Sequence, residues 1–510
     1  MRFSTMCRSL ISISVVAFLA LCCCAQTTPD QAPGHGTAEI YQQLQSQIRE
    51  LQAVVSELRA ESARYRAETE LLRQEVQTIR SAQPSSAMAT TPQSTPSAAG
   101  LPAQRLADLE DEQQILKGKI DEQYQTKVES ASKYRVRLSG IVLMNAFSNQ
   151  GSVDSIDIPT LALPKGPSDV AGNAGGTVRQ SILGLEAFGP MVAGARSSAN
   201  IQFDLAGGFS SVQNGVTSGL LRIRTGAVRL DWKHFSAVAG QDTLFLAPET
   251  TTSFASLAVP ALSYSGKLWS WVPQLRFEYR IGASETSQFT LQGGILDALT
   301  GEAPTAEYLR RPTAGENSRR PGYGARVAWS HRTMGRDLTI GAAGYYSRQD
   351  WGFARTVNSW AAMSDWAFPL SSWLKLTGEF YRGQALGGFG GGVGRSVLFS
   401  GVQADPATVV RGIDDVGGWA QLKFMPAPKL EFNTAIGQDN PFSKQLRAAS
   451  SFLAFNNPLW SRNRSGFVNA IYRPRSDLLL SVEFRRIQTA LFGGETNSAN
   501  QVNLGMGLLF

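Results

Sequence analysis

Charged side chains recur at every second position in several segments of this sequence, an arrangement that could select small ions. In the segment 275–281, Arg276, Glu278 and Arg280 alternate with four apolar residues. Arginine binds carboxylate and phosphate groups through paired hydrogen bonds, and rings of basic side chains favour anions. Twelve residues are candidates for lining a channel: Arg135, Arg137, Arg222, Arg224, Arg276, Glu278, Arg280, Arg326, Glu379, Glu431, Glu483 and Arg485. The other interpretation is that these arginines pair with nearby acids and merely satisfy a polar wall.

This alternation indicates strands, because successive side chains of a strand point to opposite faces. Sixteen segments alternate in this way, at 134–147, 178–188, 193–206, 219–232, 235–244, 273–283, 287–297, 322–331, 337–350, 356–369, 372–384, 416–425, 428–437, 463–474, 476–489 and 500–510. A soluble sandwich also alternates. However, most segments reach the length of about ten residues that a tilted membrane strand needs. Short turns also alternate with long connections, and aromatic residues lie at segment ends.

The expected fold class is therefore an all-β transmembrane barrel of about 16 antiparallel strands, preceded by a periplasmic α-helical coiled coil. A barrel of this size should leave an aqueous channel. With an even number of strands, the first strand begins and the last strand ends on the side of the short turns. The coiled coil is therefore expected in the periplasm and the barrel in the outer membrane.

The N-terminal segment 1–25 has the features of a signal peptide. Arg2 and Arg8 precede an apolar run that is too short to span a membrane. Cleavage is expected after Ala25, and the cysteines at 22–24 leave lipidation as an alternative. All four cysteines lie in this segment, so the exported chain is expected to have no disulfide and no cysteine metal site.

A heptad repeat at 38–80 predicts a coiled coil. With Ile48 at position a, apolar residues fill most a and d positions over about five heptads. Six charged residues occupy the flanking g and e positions, where a glutamate would meet an arginine of a parallel copy: Glu61, Arg66, Glu68, Arg73, Glu75 and Arg80. The alternative is a solvated helix with local ion pairs. A Pro-, Ser- and Thr-rich linker at 81–104 and a second helical segment at 105–130 are expected to lead into the barrel at 134–510.

Two short motifs and the layout of the chain resemble a known family. The barrel opens with YRVRLSG at 134–140, and VAGQDTLF at 238–245 precedes a long connection. Together with the signal peptide and the coiled coil, they are similar to the dicarboxylate-type (DcaP-like) porins. The resemblance implies a trimer in the outer membrane that passes small anionic solutes such as dicarboxylates. Sucrose-type porins also combine a coiled coil with a barrel, so a channel for sugars remains an alternative function.

The barrel region carries the positive charge of the chain. Residues 131–510 hold 36 basic and 26 acidic side chains, a net charge of +10, whereas the whole chain has +7. This surplus favours anions as permeant solutes. The long connection 245–272 occupies the position of the constriction loop of general porins, and an outer loop between subunits is the alternative. Its candidate residues are Glu249, Tyr264, Lys267 and Trp269.

The last predicted strand ends in an alternating apolar series. Its members are Leu504, Met506, Leu508 and Phe510. Outer-membrane barrels usually end in an aromatic residue that the assembly machinery reads, and this series fits that signal. The expected partners are further copies of the chain, outer-membrane lipid and lipopolysaccharide, the barrel-assembly machinery and small anionic solutes, with no nucleic acid.

No combination of residues indicates an enzyme. The three histidines are His35, His234 and His331, and the sequence has no Ser-His-acid spacing, His-Glu-x-x-His run or Cys/His cluster. We therefore expect no catalytic residue, cofactor or metal. The rival function is structural, with the coiled coil as a periplasmic spacer or tether and the channel secondary.

Overall fold

The structure is a computed structural model that describes residues 127–128, 135–167, 170–208, 219–302, 310–448, 455–456 and 458–510. The expected signal peptide, coiled coil and linker lie outside the described residues. Six candidate pairing residues therefore lie outside them too: Glu61, Arg66, Glu68, Arg73, Glu75 and Arg80. Within the described part, no helix is long and apolar enough to cross a membrane.

Sixteen long strands, each antiparallel to its neighbours, form the fold. They are β1 (Arg135–Gln150), β2 (Ile182–Val192), β3 (Ala195–Asp204), β4 (Arg222–Asp231), β5 (Phe235–Thr243), β6 (Trp271–Gly282), β7 (Ser287–Leu296), β8 (Gly322–Thr333), β9 (Arg336–Asp350), β10 (Thr356–Pro369), β11 (Leu374–Gln384), β12 (Asp414–Ala427), β13 (Leu430–Pro441), β14 (Trp460–Tyr472), β15 (Leu478–Leu491) and β16 (Thr496–Leu509). The connections hold the short strands Ser152–Val153, Ala162–Leu163, Gly172–Thr177, Val397–Phe399 and Val410–Gly412, the helices α1 (Ala314–Asn317) and α2 (Ser443–Ala448), and the 3-10 turns Gly387–Phe389 and Gly392–Gly394.

The sheet closes on itself because β1 pairs with β16. Their antiparallel register starts with Ile141 opposite Leu509, and Gly140 and Phe510 exchange two backbone hydrogen bonds of 2.8 and 3.1 Å. A closed sheet leaves no unpaired edge, which is what a sheet in lipid requires. The predicted closed antiparallel barrel of sixteen strands is therefore confirmed.

Two short segments depart from the predicted boundaries. Residues 127–128, expected within the helical segment 105–130, form a strand on β1, with Lys127 opposite Arg137. The prediction is wrong there because β1 extends past the end of β16, and its backbone groups need another partner. Gly172–Thr177, expected in the first long connection, pairs with the half of β1 that β2 does not reach.

The strands divide the barrel into an apolar outside and a polar inside. On β1, Val142 and Met144 are 56% and 46% exposed, whereas Asn145 is fully buried. On β6, Phe277 is 46% exposed and Arg276 only 9%. An outward apolar band with an inward polar face is the arrangement of transmembrane barrels. The outer surface therefore suits lipid better than water.

The apolar series at the end of the chain lies on the outward face of β16. Leu504, Met506, Leu508 and Phe510 are between 42% and 57% exposed. The Phe510 ring covers Gly140 of β1, where an added Cβ would come within 2.8 Å of the ring. The same Cβ would meet a backbone oxygen of β2 at 2.4 Å, so the seam of the barrel requires a glycine at this position.

Replacing Gly140 with valine should destabilise the barrel by about 1–3 kcal/mol, because the added carbons clash with the Ile182 carbonyl oxygen of β2 and displace the Phe510 ring. The loss would appear as a lower temperature for the shift between folded and unfolded bands on denaturing gels. Gly344→Val is the matched control, since Gly344 is also an exposed strand glycine and an added Cβ would have its nearest neighbour at 4.0 Å. Equal unfolding temperatures for the two variants would show that neither the β2 backbone nor the Phe510 ring packs closely on Gly140 at the seam.

Candidate functional site

The long connection between β5 and β6 enters the lumen of the barrel. We call residues 244–270 the inward loop. Asn145 of β1 donates to the Phe254 carbonyl at 2.9 Å, and the Thr252 amide donates to Gln421 Oε1 of β12 at 2.7 Å. Asn463 of β14 also donates to a carbonyl of the loop. Three separated strands therefore hold the loop inside the barrel.

A buried ion pair anchors the inward loop to β11. The ammonium of Lys267 lies 2.8 Å from Glu379 Oε2, and the two residues are 2% and 4% exposed. Glu379 also accepts hydrogen bonds from the Trp419 indole and the Glu249 amide, both at 2.9 Å. The Lys267 ammonium donates a further bond to the Ala247 carbonyl at 2.8 Å. These extra bonds compensate the cost of burying the two charges.

A second buried pair holds the loop against β15. Arg485 and Glu483 lie 2.7 Å apart and are each 3% exposed. The Ser253 hydroxyl donates to Glu483 at 2.6 Å, and Arg485 donates to the Ser256 hydroxyl at 2.8 Å. Two predicted channel-lining residues thus face inward but bind the loop.

Two arginines of β4 share one carboxylate beside the loop. Arg222 and Arg224 lie 2.6 and 3.1 Å from Asp204 Oδ2. Each also donates to a loop carbonyl, Arg222 to Ala258 and Arg224 to Leu257, at 2.6 and 2.8 Å. Both guanidinium groups lie over the Trp271 ring, within 4.9 Å of its centroid. We call Asp204, Arg222 and Arg224 the β4 cluster.

The remaining candidates lie on the same inward phase of their strands. Their ion pairs are Arg137–Glu186, Arg276–Asp242 at 2.9 Å, Arg280–Glu278 at 2.8 Å, Arg326–Asp365 at 2.6 Å, and Glu431 with both Lys423 at 3.0 Å and Arg473 at 3.4 Å. Among the described residues, Arg135 is the only one of the twelve candidates without an ion partner. The wall is therefore built mainly of paired charges. Asp204 and Glu431 each bind two basic side chains, which leaves one extra positive charge at each of these two positions.

The candidates within the inward loop occupy different environments. Lys267 is the buried anchor. Burial raises the pKa of the Glu249 carboxyl and of the Tyr264 hydroxyl, because a charged form loses hydration there. Trp269 packs edge-on against Trp271 with ring centroids 5.3 Å apart, and its amide donates to the Phe389 carbonyl at 3.0 Å. These four residues thus build the loop and its supports rather than one binding site.

The first long connection also lies against the inner wall, which the sequence did not predict. Arg179 and Asp157 form a buried pair at 2.7 Å, and Asn463 donates to the Thr160 carbonyl at 3.0 Å. Several acidic partners of the inward arginines were not predicted from the sequence either. Alternation would have found Asp365 on β10, but Asp157 belongs to a connection without any periodic signal.

Gly266 lets the inward loop lie directly on β12. Its φ is +98°, and an added Cβ would lie 2.1 Å from the Gly418 carbonyl oxygen. Gly266→Ala should therefore loosen the loop, lower the unfolding temperature and raise single-channel conductance in planar bilayers. Gly194→Ala is the control, since Gly194 has a φ of +79° but no atom within 4 Å of an added Cβ. That variant should lose only about 1–2 kcal/mol of stability, which is the cost of a left-handed backbone at a residue with a Cβ. Equal unfolding temperatures and unchanged conductance would contradict the close seat of the loop.

The barrel is similar to solved outer-membrane proteins. The outer membrane channel DcaP of Acinetobacter baumannii matches with a TM-score of 0.54 and 17% identity, over 75% of this chain and 99% of that chain. The anion-selective porin from Comamonas acidovorans matches with a TM-score of 0.46 and 10% identity, over 74% and 100%. Salmonella typhi OmpF in complex with daunomycin matches with a TM-score of 0.46 and 9% identity, over 75% and 100%. No family model and no curated protein matches the sequence. The likeness to DcaP shows that the chain shares the fold of that outer-membrane barrel, and the resemblance to DcaP-like porins is confirmed at the level of the fold.

Proposed function

We propose that this protein is an outer-membrane porin, a water-filled channel for the passive diffusion of small solutes. The observation that carries the proposal is the inward loop, which narrows a closed sixteen-stranded barrel from within. Barrels of about sixteen strands are wide enough for an aqueous channel. A loop fixed by buried ion pairs would set the width of that channel.

Small anions, with organic acids such as dicarboxylates among them, are the proposed preferred solutes. Two cations share one carboxylate at the β4 cluster and again at Glu431, and residues 131–510 carry a net charge of +10. Pairing neutralises most other arginines of the wall. The proposed selectivity is therefore a preference for anions and not an exclusion of cations.

We further propose that the protein works as a homotrimer with the segment 38–80 as a coiled coil in the periplasm. The g and e charges of its heptads support pairing between parallel copies. The outward apolar series that ends in Phe510 would serve as the signal for the barrel-assembly machinery. Crosslinking of the purified protein would report the number of copies.

Planar-bilayer recording with the purified full chain tests the channel. We expect stepwise conductance, and in a potassium chloride gradient a reversal potential with the sign of chloride selectivity. Dicarboxylates should reduce the chloride current. Folded protein that gives no conductance steps would overturn the channel, and potassium selectivity would overturn the anion preference. Liposome swelling with neutral sugars as fast as with organic acids of equal size would favour a sugar channel.

A further inference from the structure

Three outward-facing arginines form a basic patch on the outer surface of the barrel. Arg462 and Arg464 are alternate residues of β14, in the half that follows a long connection. Arg486 lies on β15 opposite Gly466, and all three arginines are exposed. Residues two apart on a strand are about 7 Å apart, and neighbouring strands about 4.8 Å. These three residues, the outer arginine patch, therefore form one group.

Among the residues that the structure describes, no carboxylate neutralises the outer arginine patch. Arg464 donates to Gln438 Oε1, at 2.7 and 2.9 Å, and to no other side chain of the described ranges. Neither Arg462 nor Arg486 has a side-chain partner among the described residues. The strands β13 to β16 and β1 are described from end to end, and none of them presents an acidic residue on its outward face. The inward arginines differ, since nearly all of them are ion-paired. The outer patch has no counter-charge within the described part of the chain, so it is available to an external anion.

The position of the patch indicates that this anion belongs to a lipid. Towards the short turns, the outward side chains of the same strands are apolar, and Val468, Phe484 and Val502 are 52%, 45% and 45% exposed. The patch therefore lies where the apolar band meets the side of the long connections. Phosphate groups of a lipid whose chains cover the band would lie at this level.

An apolar groove runs along the outer face beside the patch. Its volume is about 640 Å³, and it lies over Gly418 and Ala420 of β12, between Phe380 and Ile436, with Arg464 at its rim. The small side chains of β12 leave this space between two larger apolar neighbours. An acyl chain fits such a groove because it is apolar and opens to the lipid side.

We propose that the outer arginine patch binds the phosphate groups of lipopolysaccharide, with an acyl chain of the same molecule in the groove. The inference rests on the proposed function, since an outer-membrane location with the long connections outside places the patch in the outer leaflet. Lipopolysaccharide is the phosphate-bearing lipid of that leaflet. Arginine suits this ligand because its planar guanidinium pairs with phosphate through two hydrogen bonds.

Binding of rough-type lipopolysaccharide with a bisphosphorylated lipid A to the purified full chain tests the proposal. The variant Arg462→Gln/Arg464→Gln/Arg486→Gln should bind about a hundredfold more weakly, since each basic residue near an anionic lipid contributes about a factor of five. The control is Lys233→Gln/Lys429→Gln/Arg475→Gln, which removes the same charge from exposed positions of the short turns. It should bind like the unchanged protein. Enzymatically dephosphorylated lipopolysaccharide should bind the unchanged protein as weakly as the patch variant binds the intact lipid.

Three results would overturn the proposal. Equal affinities of the two triple variants would exclude the patch as the site. Equally tight binding of phosphatidylglycerol would reduce it to a general anionic surface, and a changed number of subunits with unchanged lipid affinity would make it a contact between copies. If the triple variant does not fold, Arg486→Gln alone should still weaken binding severalfold. Bilayer conductance of the patch variant should equal that of the unchanged protein, so this proposal and the channel can fail separately.

Discussion

Replacing Glu379 with glutamine is expected to lower the unfolding temperature of the barrel and to raise its single-channel conductance. Lys267 is 2% exposed, and its charge would lose the carboxylate that lies 2.8 Å away. Breaking a buried pair by removing one partner costs about 3–5 kcal/mol. The loop can reduce this cost only by moving Lys267 into water, which detaches the residues beside it from β11 and widens the lumen.

The double variant Lys267→Met/Glu379→Gln separates the charge from the packing. It removes both charges, and methionine has nearly the length of the lysine chain, so most of the lost stability and the original conductance should return. Arg475→Gln is the control for a pair at the surface, because Arg475 and Asp477 lie 3.1 Å apart with Arg475 76% exposed. It should change stability by less than about 1 kcal/mol. A double variant as unstable as Glu379→Gln would contradict a role for the unpaired lysine.

The barrel could be predicted because the alternation that indicates each strand lies within a short segment of the sequence. Alternation in 275–281 depends only on the period of a strand, and the structure places Arg276 and Glu278 inside and Phe277 outside, as that period requires. The strand at 127–128 could not be predicted, because it exists only where β1 outruns β16. That mismatch depends on the register between strands that are over 350 residues apart in sequence.

The ion partners of the lumen depend on register in the same way. Arg222 meets Asp204 because these residues are directly opposite each other on β4 and β3, and neither sequence segment carries that information. Lys267 is a candidate residue of the long connection in the sequence, but nothing there indicates that its charge is buried. Its burial follows from the path of the inward loop across the lumen to Glu379. Alternation thus predicted which side chains face inward, whereas their neutralisation required the three-dimensional arrangement.

Replacing Asp204 with asparagine is expected to strengthen the anion preference of the channel. Asp204 balances one of two arginines in the β4 cluster, so its loss adds one net positive charge beside the inward loop. A unit charge about 6 Å from a passing ion contributes about 0.7 kcal/mol in a water-like medium, which is about threefold in the local ion concentration. The reversal potential in a salt gradient should shift towards the chloride limit, and more so at low ionic strength.

Removing the two arginines of the β4 cluster should shift the reversal potential in the opposite direction. Arg222→Gln/Arg224→Gln leaves Asp204 unbalanced, so the reversal potential should shift towards the potassium limit. Asp477→Asn is the control, because it removes one carboxylate from a short turn at the mouth of the barrel, where water and salt screen the charge. It should leave the reversal potential nearly unchanged. If both changes in the β4 cluster move the reversal potential in the same direction, the altered current comes from a displaced loop. Only shifts of opposite sign are consistent with a field that the cluster itself imposes on permeating ions.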